Sequence, residues 1–97
     1  MDGKIKVMIA DDQVILAEGI RSVLETDPGI EVTGLAFDGF DTLSKMEENT
    51  PDVVLMDIRM PNMNGVVATQ SIKAKYPDVK VIILTTFDDS DYILNAI

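Results

Sequence analysis

The chain contains no cysteine and no histidine. Without cysteine it has neither disulfides nor thiol chemistry. Without histidine it lacks the commonest general base and cannot itself carry a phosphohistidine, so any group it receives must come from another molecule. Basic residues are scarce: 8 lysines and arginines stand against 17 acidic residues, a net charge of −9. That balance repels nucleic acid phosphates and anionic membrane surfaces, so the segment is not expected to bind DNA or membrane by itself. Long apolar runs are missing too. The charged start Met1-Asp2-Gly3-Lys4 leads into a run too short for an export signal or a membrane span, which makes the cytoplasm the default compartment. What is there is 97 residues at 46% hydrophobic content, enough for one globular domain, too little for two cores and somewhat short for a single α/β sheet.

The chain is organised around Val53-Val54-Leu55-Met56-Asp57, followed by Ile58-Arg59-Met60-Pro61-Asn62-Met63-Asn64-Gly65. Four apolar residues between Pro51 and a Pro/Asn/Gly-rich loop read as a strand buried on both faces, as inside parallel sheets. Ile5 to Ala10 is a similar first strand, ending in Asp11-Asp12-Gln13. A helix to Thr26 follows, with Leu16, Ile20, Val23 and Leu24 as its apolar stripe and Gly19 explained by close packing on the sheet. Ile30 to Ala36 is a second strand, weakened by Gly34 as suits an edge. Asp38-Gly39 turns the chain into a helix from Phe40 to Asn49, whose inner side carries Phe40, Leu43 and Met46. After Gly65 a third helix carries Val66, Val67, Ala68, Ile72 and Tyr76, its stripe blurred by Thr69, Gln70 and Ser71. Val79 to Leu84 is a fourth strand, Thr85-Thr86 follows, and a fourth helix is expected from near Asp89 to Ile97. Strands alternating with helices through short connections predict a doubly wound α/β fold, a parallel sheet with helices on both faces.

Parallel strands deliver their carboxyl ends to one edge, where open α/β sheets place their chemistry. That edge collects Asp11 and Asp12 from the first strand, Asp57 from the third and Thr85 from the fourth. Two carboxylates about 4 Å apart repel by about 4 kcal/mol at an effective dielectric near 20, so such a cluster needs a cation or raised pKa values. Oxygen ligands with no His or Cys nearby point to a hard ion, and Mg²⁺ suits one or two carboxylates plus a phosphate. Plainer explanations exist for each residue alone. Asp57 could be a turn former, one of Asp11 and Asp12 a helix N-cap, and Thr85 an ordinary strand-end residue. Capping does not explain both aspartates, and it is the convergence on one edge that favours function.

These residues resemble the receiver domains of bacterial two-component response regulators. The resemblance covers the whole chain: Asp11-Asp12 after the first strand, Met56-Asp57-Ile58-Arg59-Met60-Pro61 with Asn64-Gly65 after the third, and Leu84-Thr85 after the fourth. It implies a flavodoxin-like sheet with strand order 2-1-3-4. The run Leu84 to Asp89 is similar to that of the NarL/FixJ (LuxR-type) subgroup, whose members carry a C-terminal DNA-binding effector domain that controls transcription; none is in this chain. By the same resemblance Asp57 would be the phosphoacceptor, taking its phosphoryl group from a sensor histidine kinase. Asp12 would bind Mg²⁺ directly, with Asp11 supporting it, Asp57 sharing the ion and the backbone carbonyl of Arg59 completing the protein ligands. Thr85 would be the switch residue that hydrogen-bonds the phosphoryl oxygens. The side chains of Arg59 and Phe87 would flank the entrance. Such a domain is not an enzyme beyond its own phosphotransfer and dephosphorylation.

The family pattern also contains a fifth strand ending in a lysine, an aromatic switch residue and a fifth helix, which these 97 residues do not include. Residues 1–97 are therefore expected to form a receiver domain incomplete at its C-terminal end, with the fourth strand as an open edge. An edge of that kind leads to the expectation of a homodimer or a swapped association. Three other readings stand beside the receiver. A protein-binding pseudo-receiver would never be phosphorylated. An aspartyl-nucleophile phosphohydrolase wants a second carboxylate where this chain has Arg59. A flavodoxin-like nucleotide module wants a phosphate cradle where this chain has Asp11-Asp12.

Overall fold

A computed structural model describes residues 3–84 of the chain. Over these residues the order is β1 (Ile5–Ala10), α1 (Val14–Leu24), β2 (Ile30–Ala36), α2 (Gly39–Glu48), β3 (Val53–Asp57), α3 (Gly65–Lys75) and β4 (Lys80–Leu84). The strands form one parallel sheet in the order β2-β1-β3-β4, as expected. The fourth helix falls outside the described residues.

The two inner strands lie where their composition sends them. Val7 to Ala10 of β1 are all buried, and Val54 and Met56 of β3 are fully buried. Side chains alternate across the sheet and build two apolar layers. On one face Met8, Ala10, Val54 and Met56 pack with Met46 of α2 and Ala68 and Ile72 of α3. On the other, Val7 and Ile9 meet Ala17 of α1, with Ile20, Leu24, Val53 and Leu55 partly buried around them. At the root of the sheet Asp52 ties three strands. Its carboxylate accepts from the Lys6 amide at 2.9 Å, its own amide donates to the Lys6 carbonyl at 2.8 Å, and its carbonyl accepts from the Lys80 amide at 3.0 Å. β2 is an edge, with its register shifted where Val7 faces Val32 but Met8 faces Gly34, so Thr33 is the extra residue of a bulge.

Several helix faces differ from the sequence reading. In α1 the buried residue is Ala17, flanked by the half-buried Ile20 and Leu24, while Leu16 is 48% and Val23 70% exposed. Val14, Ile15 and Leu16 make the first turn apolar all round, so periodicity alone does not select the inward face. Gly19 is not pressed against the sheet, since a β-carbon there would meet nothing within 4 Å. The helix ends at Leu24, two residues short of Thr26. In α2 Phe40 is 59% exposed, and the buried positions are Gly39, Thr42 and Met46, with Leu43 packing beside them. In α3 Val67 is exposed and Thr69 is buried, its Oγ1 without a hydrogen-bond partner. β4 has no further strand beside it among the described residues, and its Ile82 is 53% exposed. No helix among the described residues is long and apolar enough to cross a membrane.

Candidate functional site

Register places the acidic residues. Ala10 pairs with Met56 across the β1–β3 ladder, so the residues that follow, Asp11 and Asp57, leave adjacent strands at the same level. The Asp11 amide extends the ladder on the other side, donating to the Ala36 carbonyl at 2.9 Å. One carboxylate oxygen from each of Asp11, Asp12 and Asp57 lies within 4.8 Å of the other two. Among the described residues no other group of three acidic side chains converges in this way. Asp11 is 2% exposed, Asp57 is partly buried and Asp12 faces solvent.

Neither Asp11 nor Asp12 caps α1. The N-cap is Gln13, which makes no side-chain capping bond, and Asp11 Oδ1 instead accepts the Gln13 amide at 2.9 Å. The capping explanation for one of the pair is thus removed. Burial pushes the Asp57 carboxyl up to about 6, with the negative charge of Asp11 next and that of Asp12 smaller. Backbone hydrogen bonds at Arg59 and Ile58 act in the opposite direction. Asp11 is raised as well, by burial first, against its hydrogen bond from Gln13 and with repulsion from Asp12. The group is a set of hard oxygen donors that repel one another in a half-desolvated crevice, which is the donor set a small divalent cation relieves.

The loop after Asp57 is pinned from both ends. The Ile58 carbonyl accepts from the Met60 amide at 3.1 Å and the Gly65 amide at 2.9 Å, and Ile58 and Met60 are buried. Gly65 passes so close to the Asp57 carbonyl and the Ile58 α-carbon that a β-carbon would overlap both. Asn62 holds a left-handed backbone at φ 66°, a conformation asparagine tolerates better than most residues. Its Nδ2 donates to Asp38 Oδ2 at 2.8 Å, and the Gly39 amide donates to the Met63 carbonyl at 2.9 Å. Asn64 then caps α3, its side chain accepting from the Val67 amide at 3.0 Å.

Of the residues singled out in the sequence, Asp11, Asp12 and Asp57 are brought together and Arg59 follows Asp57 on the exposed loop. Leu84 is the register partner of Asp57, and Thr85, the next residue, lies outside the described residues along with Thr86 and Phe87. Sequence reasoning read Asp38 only as a turn residue before the second helix and did not foresee its contact with Asn62. Its signal was the pairing of Asp38 with Asp41 at the start of α2, where Asp38 Oδ1 accepts the Asp41 amide at 2.7 Å and Asp41 Oδ2 accepts the Phe37 amide at 3.0 Å.

Residues 7–97 match the family model described as "Response regulator receiver domain". The chain belongs to that family. Among curated relatives, it is 46% identical over 93 residues to the transcriptional regulatory protein LnrK of Bacillus subtilis (strain 168), covering 96% of this chain and 42% of that protein. It is 40% identical over 96 residues to the transcriptional regulatory protein DegU of Brevibacillus brevis, covering 99% of this chain and 41% of that protein. Among solved structures, a LuxR-family two-component response regulator from Aurantimonas sp. SI85-9A1 matches with a TM-score of 0.87 at 32% identity, over 96% of this chain and 66% of that one. The receiver therefore spans about two fifths of the length of these curated relatives, and the similarity runs to the subgroup expected from the sequence.

Proposed function

We propose that this receiver accepts a phosphoryl group on Asp57 and passes the resulting change to a transcriptional output. The observation that carries the reading is the convergence of three carboxylate oxygens at the carboxyl ends of β1 and β3. In the transfer, a carboxylate oxygen of Asp57 attacks the phosphorus of a histidine kinase's phosphohistidine. The phosphorus–nitrogen bond breaks, its electron pair leaves with the imidazole, and an acyl phosphate forms on Asp57. Water later hydrolyses that bond, returning the carboxylate and inorganic phosphate, so the chemistry extends no further than the domain's own phosphotransfer and dephosphorylation. Reactions of this type need positioning and charge neutralisation more than covalent help.

Asp12 and Asp57, the Arg59 carbonyl and, in a supporting place, Asp11 are the groups that would hold Mg²⁺. When bound, the ion neutralises the charge of the phosphoryl oxygens and of the acidic cluster. The protein's own contribution is to fix Asp57 at the strand end and to keep its carboxylate partly desolvated. Thr85 would hydrogen-bond the transferred group and couple it to the segment after it, because a phosphoryl group adds about −1.5 to −2 charge and three strong acceptors. LnrK and DegU are named transcriptional regulatory proteins. By that similarity the partners proposed here are a sensor histidine kinase and a DNA-binding effector domain. The excess of acidic residues leaves contact with DNA to the effector.

The test is to incubate the full-length protein with a small acyl phosphate donor and Mg²⁺ and to read the intact mass. The expected result is a gain of one acid-labile phosphoryl group, absent from Asp57→Asn while its circular dichroism is unchanged. Labelling of Asp57→Asn at the unsubstituted rate would overturn the assignment.

A further inference from the structure

The loop from Ile58 to Asn64 carries Arg59, whose carbonyl is one of the groups proposed to hold Mg²⁺, and its far half is fastened to a different element. Asp38 uses both carboxylate oxygens there: Oδ1 accepts the Asp41 amide at 2.7 Å and caps α2, while Oδ2 accepts Asn62 Nδ2 at 2.8 Å. Beside it, the Gly39 amide donates to the Met63 carbonyl at 2.9 Å, and a β-carbon on Gly39 would run into Met63. One carboxylate thus caps the start of α2 and fastens the loop at the same time. A left-handed turn alone would be served by glycine without strain. Asparagine at 62 adds a side chain, and that side chain is spent on Asp38.

We propose that Asp38, acting through the Asn62 side chain, is a positioning residue for phosphoryl acceptance: it locks the loop in the arrangement that presents the Arg59 carbonyl and Asp57 to the cation. The inference rests on the phosphoacceptor reading of Asp57 given above. Asp38 stays ionised for the task, because hydrogen bonds from the Asp41 backbone first and the Asn62 side chain second hold its carboxyl below the usual carboxylate range. A charged acceptor makes the stronger kind of hydrogen bond. Loss of a group that orients metal-binding residues from behind typically costs about 10–100-fold in metal affinity.

The decisive variant is Asn62→Gly in the full-length protein, because glycine takes φ near +66° freely and loses only the latch. Asp38→Ser keeps a capping oxygen for α2 and also loses the latch. The double exchange Asp38→Asn with Asn62→Asp restores the bond with donor and acceptor reversed. We expect both single variants to bind Mg²⁺ about tenfold more weakly without any phosphodonor, with little change in melting temperature in the metal-free state. Hydrogen exchange at the Gly39 amide should quicken in both. In labelling with a small acyl phosphate, half-saturation by Mg²⁺ should rise by a similar factor while the rate at saturating Mg²⁺ falls less, and the double exchange should recover most of both. Unchanged Mg²⁺ affinity in Asn62→Gly, or loss of affinity that the double exchange does not repair, overturns the proposal. If the unsubstituted protein binds Mg²⁺ but takes no phosphoryl group, the phosphoacceptor reading fails and the Mg²⁺ affinities still decide the latch.

Discussion

The space that a β-carbon of Gly65 would fill is taken by the backbone carbonyl of Asp57. The strand end and the start of α3 are therefore in backbone contact, and a methyl group at 65 must push the end of β3 away. Gly65→Ala is expected to lose about 1–3 kcal/mol in urea unfolding despite alanine's better helix propensity. Gly19→Ala is the contrasting case, because nothing stands within 4 Å of its missing β-carbon. There the same change should gain about 0.5–1 kcal/mol. Equal losses at both positions would show that the contact at Asp57 is not what sets the cost.

The second prediction concerns pH. An unfolded Asp57 titrates near 3.8 and the folded one near 6, so between these values the native state holds the extra proton. Stability is then highest below the lower value and is lost as pH rises through the upper one. The gap of about 2 units sets a ceiling of about 3 kcal/mol at about 1.4 kcal/mol per unit, and solvent screening at this partly exposed carboxyl brings the effect below that ceiling. Asp11 is shifted in the same direction and adds to the slope. In metal-free buffer the protein should be more stable near pH 4.5 than near pH 7, and Asp57→Asn should flatten that profile and melt higher at pH 7. A profile that rises over this range would contradict the burial of Asp57.

A third expectation follows from repulsion among Asp11, Asp12 and Asp57. Mg²⁺ should raise the melting temperature at pH 7, by an increment equivalent to about 2.7 kcal/mol when its concentration is a hundredfold above the dissociation constant. The increment should shrink as pH falls below about 6, where Asp57 becomes protonated. Asp12→Ala should abolish most of it. Thermal melts of both proteins with and without Mg²⁺ make the comparison, and an undiminished increment in Asp12→Ala would move the ion elsewhere.

Thr69 supplies the fourth. Its hydroxyl oxygen is buried on the inner face of α3 without a partner, a costly arrangement for a polar atom. Thr69→Val replaces that hydroxyl with a methyl of similar size and should gain about 1–2 kcal/mol. Denaturant unfolding reads the gain directly, and a loss of that size would mean that the hydroxyl is satisfied in solution.

The sheet and the acidic site were legible in the sequence for one reason. Val7 to Ala10 and Val53 to Met56 are short apolar runs with a carboxylate directly after them, and parallel strands must bring those ends to one edge. The helix faces were less legible. α1 carries Val14, Ile15, Leu16, Ile20, Val23 and Leu24, more apolar surface than one contact requires, and it is the small Ala17 that takes the central place, packed with Val7 and Ile9. Phe40 was expected on the inner side with Leu43 and Met46, whereas at the first turn of α2 the inward positions are Gly39 and Thr42. The contact between Asp38 and Asn62 joins residues 24 apart through side chains alone. No periodic pattern records such a pair, and it becomes visible only when α2 and the β3–α3 loop are placed side by side.

β1 is the first strand of the chain and lies inside the sheet, between β2 and β3. A nascent chain that has grown only as far as α2 can pair β1 with β2, but the other side of β1 must wait for β3, whose root at Asp52 meets Lys6 from 46 residues away. Closing so long a loop is entropically slow. The same closure brings Asp57 against Asp11, so charge repulsion is added to the step that already carries the largest search. Repulsion among the carboxylates therefore opposes the same β1–β3 pairing that has to close 46 residues of chain.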